Sequence, residues 1–330
     1  MKYLLTINIA LLCLLIACKS DGTKSTSQTN NNTLGALETI LAKNPDDHKS
    51  LYFRAKQQYS NNDYSGAIET LKAAVDIDSL QADYQHLLAD CYLDYYRSKD
   101  ALMTMIRASQ TFPERVPTLL KLAETQLIVK LYEESMLTVA RVINIEPNNA
   151  EAQFMIAMNF KEMGETDRAI NYFQKTTELD PEIIDAWLFL GDLYQEKGDT
   201  KAIDYYNAAL NVDSDNIAAL HSKAFHLQND NKELEAIELY KRINLIDKNY
   251  TDAYLNSGIL YLAMDSLDLS MEQFNILTGI KPQDYLPHYY KGLIFQSRGD
   301  IDNAKKAFQN SINLNSDFSR AKKALNALDE

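Results

Sequence analysis

Cysteine is nearly missing from this 330-residue chain: Cys13 and Cys18 fall at its start, and only Cys91 lies beyond them. No disulfide can therefore close within the bulk of the chain, and Cys91 is expected to be packed rather than reactive. Histidine is as thin. His48, His86, His221, His226 and His288 are scattered, and the nearest two are five apart, where i,i+4 is needed to share a helix face. No glycine-rich phosphate loop and no nucleophile elbow occur. Asp213-Ser214-Asp215-Asn216 opens like a calcium loop but lacks the central glycine and terminal glutamate, so it reads as a turn with a helix cap. Acidic pairs such as Glu133-Glu134 read as solvated helix surface. Positive charge is the last scarcity: 33 Lys and Arg against 46 Asp and Glu leave a formal charge of −13. Phosphate binding needs a basic stripe and none is visible, so nucleic acid is not an expected partner. The negative surface reads first as a solubility device, and it would also steer a cationic partner. No catalytic residue, metal, cofactor or small-molecule substrate is expected.

What is present is a period. Small residues stand in two columns: Ala55, Ala89, Ala123, Ala157, Gly191, Ala224, Gly258 and Gly292, then Ala67, Ala101, Ser135, Ala169, Ala202, Ala236, Ser270 and Ala304. Each step is 34 residues except one step of 33 in both columns, which places a single deletion in Gly198-Asp199-Thr200-Lys201. A fixed period of this size marks stacked supersecondary units. Larger side chains keep a third phase, Leu71, Met105, Val139, Phe173, Tyr206, Tyr240, Phe274 and Phe308, and the apolar spacing of three and four is helical. Asn62-Asp63, Gly164-Glu165, Gly198-Asp199 and Gly299-Asp300 break each unit into two helices. Pro113, Pro147, Pro181 and Pro282 separate units, so each unit is a helical hairpin. Small residues are required where two helices cross closely, and large ones opposite fill the space they leave.

These residues resemble the tetratricopeptide repeat family. Its pattern is fullest in Trp187, Leu190-Gly191, Tyr194, Ala202 and Tyr206, with Ser214 where proline is usual; Phe160, Ala169, Phe173 and Pro181 carry it in the unit before. Arg54, Lys223, Ser257 and Lys291 depart from it at a leucine position, and Lys248 at the proline. The expected fold is all-α, a right-handed solenoid over 34–329 forming one elongated domain. Its eight units lie near 48–81, 82–115, 116–149, 150–183, 184–216, 217–250, 251–284 and 285–318. Leu34–Asn44 reads as a lone second helix before them, and 319–329 as a capping helix with Arg320, Lys322 and Lys323 outward.

The chain opens Met1-Lys2 and runs uncharged from Tyr3 to Ala17, too short for a comfortable membrane span but laid out as a secretory leader. Leu15-Ile16-Ala17-Cys18 resembles the lipobox of bacterial lipoproteins, which implies cleavage of 1–17 and lipidation of Cys18. Residues 18–33 read as a polar tether. Lys19 replaces the aspartate that retains such proteins in the inner membrane, so the expected address is the outer membrane, on its periplasmic side.

In tetratricopeptide repeat proteins the first helices form a concave wall on which peptides or partner helices lie. That resemblance implies a protein-binding groove at Tyr52, Phe53, Lys56, His86, Asp90, Lys121, Glu124, Phe154, Met155 and Met158. It continues through Leu188, Phe189, Asp192, His221, Phe225, Leu255, Asn256, Ile259, Tyr289, Tyr290 and Leu293. Lys56 and Asn256 are isolated, so the lysine–asparagine clamp for a C-terminal carboxylate is not expected. The function implied is a lipid-anchored envelope scaffold that holds a segment of another protein in an outer-membrane, secretion or motility complex. The alternative is a docking module for a cell-wall or glycan hydrolase.

Overall fold

The computed structural model describes residues 35 and 37–328, and every regular element among them is a helix. The leader, Cys18 and the tether lie outside the described residues. The chain divides after Phe112 into two compact units, each of which is a stack of hairpins. The first holds α1 (37–43), α2 (His48–Ser60), α3 (Tyr64–Ile77), α4 (Ala82–Asp94) and α5 (Ser98–Thr111). The second holds α6 (Val116–Ile128), α7 (Tyr132–Ile145), α8 (Ala150–Glu162), α9 (Thr166–Leu179), α10 (Ile184–Glu196) and α11 (Ala202–Val212). It continues with α12 (Ile217–Asn229), α13 (Glu233–Ile246), α14 (Thr251–Ala263), α15 (Leu267–Ile280), α16 (Tyr285–Ser297), α17 (Ile301–Leu314) and α18 (Ser319–Asn326). Within the second unit sequence neighbours are spatial neighbours: α8 packs on α9, α9 on α10, and first helices also touch directly at α6–α8, α10–α12 and α14–α16.

Side chains start the helices and backbone stops them. Asp47, Asp63, Asn149, Asn216, Asp284 and Asp300 each accept a hydrogen bond from a first-turn N–H, satisfying a donor that has no partner within the helix. Every hairpin turns on one left-handed residue: Asn62, Tyr96, Lys130, Gly164, Gly198, Asn231, Asp265 and Gly299. The next N–H then reaches back five residues, as from Leu131 to the Gln126 carbonyl at 2.8 Å and from Asp199 to Tyr194 at 2.9 Å. That bond caps the first helix and aims the chain into the second. The deleted residue shows in α11, which has 11 residues where the other second helices from α3 to α17 have 14.

The small columns sit at the crossings. All eight members of the second column and the five alanines of the first are fully buried. A methyl on Gly191 would stand 2.4 Å from the Tyr206 ring, on Gly258 2.8 Å from Phe274, and on Gly292 2.4 Å from Phe308. Serine replaces alanine where its hydroxyl spans the gap: Ser135 donates to the Ala123 carbonyl at 2.9 Å and Ser270 to that of Gly258 at 2.8 Å. α18 is shorter than the expected 319–329, because Ala327 and Leu328 form a turn; Ala321 anchors it, and Phe318 packs on Tyr285 and Tyr289.

Candidate functional site

Helical spacing puts the predicted groove residues on one side of the first helices. In the first unit Tyr52 stacks on Tyr84 at 4.6 Å, with the Lys56 ammonium 5.8 Å from its ring centre. Phe53 beside it is 56% exposed, and Asp90 is half-buried. Burial, and then the Asp83, Tyr84 and Asp90 charges, push the Tyr52 hydroxyl above its ordinary pKa. The Tyr59 hydroxyl donates to Asp94 at 2.6 Å.

In the second unit the expectation of an open apolar patch around Phe154, Met155 and Met158 is corrected. These side chains are 6, 5 and 6% exposed. Phe154 meets Phe173 edge-on at 5.5 Å and Phe189 at 6.0 Å, and α8 packs against both α6 and α9, so its apolar side chains are packing groups. Glu124 is likewise buried, with a Lys121–Glu124 contact of 2.9 Å, so it presents no open carboxylate. The later helices keep their predicted residues half-buried: Leu188, Phe189, Asp192, Phe225, Leu255, Asn256, Ile259, Tyr289 and Tyr290.

Two hydrogen-bonded groups tie this face to the second helices. Tyr206 donates to Asp192 at 2.8 Å, and Gln195 lies 3.4 Å from the same hydroxyl and 3.2 Å from His226 Nδ1. Burial pushes the Asp192 carboxyl up against the downward pull of that hydroxyl, and Glu196 adds to the rise. Asn256 Nδ2 donates to the Tyr240 hydroxyl at 3.3 Å and lies 3.4 Å from His221 Nε2, whose ring meets those of Tyr240 and Tyr250 at 5.8 Å each. Burial lowers the His221 pKa against the opposing pull of the Asp252 charge, which favours the neutral ring. The sequence reading missed these groups, although tyrosine in place of phenylalanine at 206 and 240 signals a buried hydroxyl that needs a partner.

Elsewhere, Tyr132, Met136, Leu137, Phe160, Met163 and Arg168 line a shallow pocket of about 390 Å³. Cys91 is fully buried, and its thiol is pushed up to about 12, chiefly by that burial. Among the described residues no three His, Cys, Asp or Glu side chains gather as metal ligands, and no helix is long and apolar enough to cross a membrane.

Residues 154–217 and 288–318 match the family described as tetratricopeptide repeat, and 27–108 match anaphase-promoting complex, cyclosome, subunit 3. The fold is that of a tetratricopeptide repeat solenoid. It is 27% identical over 183 residues to human tetratricopeptide repeat protein 6, covering 54% of this chain and 35% of that one. It is 20% identical over 291 residues to superkiller protein 3 of Schizosaccharomyces pombe, covering 80% and 20%. The chain thus spans about a third and a fifth of the lengths of these relatives. Among solved structures, that of the APC/C hetero-tetramer Cut9-Hcn1 superposes with a TM-score of 0.54 at 16% identity, over 93% of this chain and 61% of that one. The likeness extends to the fold.

Proposed function

We propose that this tetratricopeptide repeat chain is a lipid-anchored scaffold of the bacterial envelope. Cys18 carries the lipid, and the first-helix face of the second unit holds a segment of another envelope protein. The observation that carries the binding role is the run of half-buried apolar and aromatic side chains on successive first helices: Leu188 and Phe189, Phe225, Leu255 and Ile259, then Tyr289 and Tyr290. Side chains left partly open in this way supply contact area at little further ordering cost, since packing already holds them. Leu15-Ile16-Ala17-Cys18 supports the anchor, and Lys19 after the cysteine supports the outer membrane, periplasmic side, as its address. Three acyl chains, at about 0.8 kcal/mol per buried CH₂, would hold the protein on a bilayer without a membrane-spanning helix.

The test is crosslinking and mass spectrometry on intact cells, comparing the natural chain with Leu188→Ser/Phe225→Ser and with Cys18→Ser. Crosslinks from the first-helix face to one envelope protein, lost in the double variant while helicity is kept, are the expected result. Unchanged crosslinks would remove the face from the account. Membrane retention of Cys18→Ser would remove the anchor.

A further inference from the structure

The carboxylates on this face outnumber the cations. α8 and α10 together carry five of them, Glu151, Glu162, Asp185, Asp192 and Glu196, against the single lysine Lys161. Lys161 is 3.1 Å from Glu162 and 5.2 Å from the centre of the Phe189 ring, and its charge also reaches Asp192, which leaves Glu151 and Asp185 without a cation on these two helices. Glu151 and Asp185 hold the same helical register on adjacent units, each in the first turn of its helix. Both are open to solvent, yet surrounding protein atoms desolvate them and push their carboxyls above the ordinary range. Asp180 and Glu146 push Glu151 further, and no lysine, arginine or histidine offsets either rise. On α10 the pattern alternates acid and apolar: Asp185, then Leu188 and Phe189, then Asp192. Phe225 continues the apolar side on α12, which touches α10.

We infer that the face of α8, α10 and α12 seats a cationic amphipathic segment of the partner protein, its lysines or arginines on Glu151, Asp185 and Asp192 and its apolar side chains on Leu188, Phe189 and Phe225. The inference rests on the proposal that a partner lies on the first helices, and it adds the partner's chemistry. A cation seated on Glu151 or Asp185 by a segment whose apolar side chains cover Leu188 and Phe189 is attracted more strongly than one at an uncovered surface, because the segment itself excludes water that would screen the pair. The apolar contacts on the same segment expel the remaining water. A neutral or acidic segment of equal hydrophobicity would leave the carboxylates buried and unpaired, which opposes binding.

The test uses the full chain in detergent and a fluorescently labelled synthetic helix with lysines along one side and leucines along the other. The lysine helix is expected to bind, and its glutamate analogue and a charge-matched scrambled sequence are expected not to. Glu151→Gln/Asp185→Asn should weaken binding about tenfold, about 1.4 kcal/mol, and added salt should narrow the difference. Equal binding of the lysine and glutamate helices, or an unchanged affinity in the amide variant, would overturn the inference. If Phe225→Ser abolishes binding of both helices alike, the first-helix reading stands and the cationic one fails. If crosslinks in cells map instead to Leu137 and Met163, the first-helix reading itself fails. If the lysine helix competes with self-association that Lys322→Glu/Lys323→Glu removes, the occupant is α18 of a second copy and the separate partner is refuted.

Discussion

Gly191→Ala tests the crossing of α10 and α11 directly. The added methyl would lie 2.4, 2.7 and 2.9 Å from three atoms of the Tyr206 ring. That ring is fully buried, and its hydroxyl is held by Asp192 at 2.8 Å, so it has no room to retreat. Ala157 and Phe173, like Ala224 and Tyr240, hold the register of Gly191 and Tyr206 and all four are fully buried, so a hairpin can be spaced for both methyl and ring. The cost of Gly191→Ala is therefore that of respacing one hairpin, about 1–3 kcal/mol. Tyr206→Leu alone removes ring volume and the hydroxyl bond to Asp192, again about 1–3 kcal/mol. The double variant recreates a pair already present in the chain, Ala55 with Leu71, so it should cost less than the two single changes added together by about 1–2 kcal/mol. Urea unfolding of all four proteins, followed by circular dichroism, closes the cycle. Strictly additive losses would refute the claim that these two residues share one space.

Other outcomes follow from the same contacts. Gly164→Ala adds a methyl with nothing within 4 Å but at a φ of 77°, so it should cost about 1 kcal/mol through backbone strain alone, read in the same unfolding assay. Lys130→Gly, at a φ of 62°, should cost less than Gly164→Ala or add stability, because relief of strain opposes the greater freedom of the unfolded chain. Met158→Ala should destabilise by about 2–5 kcal/mol, since Met158 is core, whereas Phe53→Ala, 56% exposed, should leave the unfolding midpoint nearly unchanged. Asp185→Asn should raise the thermal midpoint at pH 7. The folded-state pKa of Asp185 is raised, so its relative stabilisation is full below the unfolded value and lost as pH rises through the folded one. The gain should therefore shrink as the pH falls toward 4, and a gain independent of pH would contradict the desolvation of this carboxyl.

Much of the fold was legible because its causes repeat. The two small columns and the phase of large side chains predicted helix pairing, and the single 33-residue step placed a deletion at 198–201, just before the α11 that is found to be short. The turns were half legible. Gly164, Gly198 and Gly299 announce a left-handed residue by type, whereas Tyr96 and Lys130 do so only by standing in the same register. The site was harder. Residues 154, 155 and 158 hold the same helical positions as 188, 189 and 192, yet the first set is closed and the second half-open. Period assigns a side chain to a face, but whether that face is covered depends on how far neighbouring rings lean, as Phe173 and Phe189 do toward Phe154. Hydrogen bonds such as Tyr206 to Asp192 depend on rotamers that spacing alone does not fix.

Amide hydrogen exchange on the full chain, resolved peptide by peptide, measures the central claim most directly, because the account makes stability periodic. Slow exchange should fall in paired blocks at α2–α3 through α16–α17, with fast segments between units recurring every 34 residues and once at 33, beside α11. Protection that follows no such period, or that runs through Asp180-Pro181 and Lys281-Pro282 without a break, would contradict it.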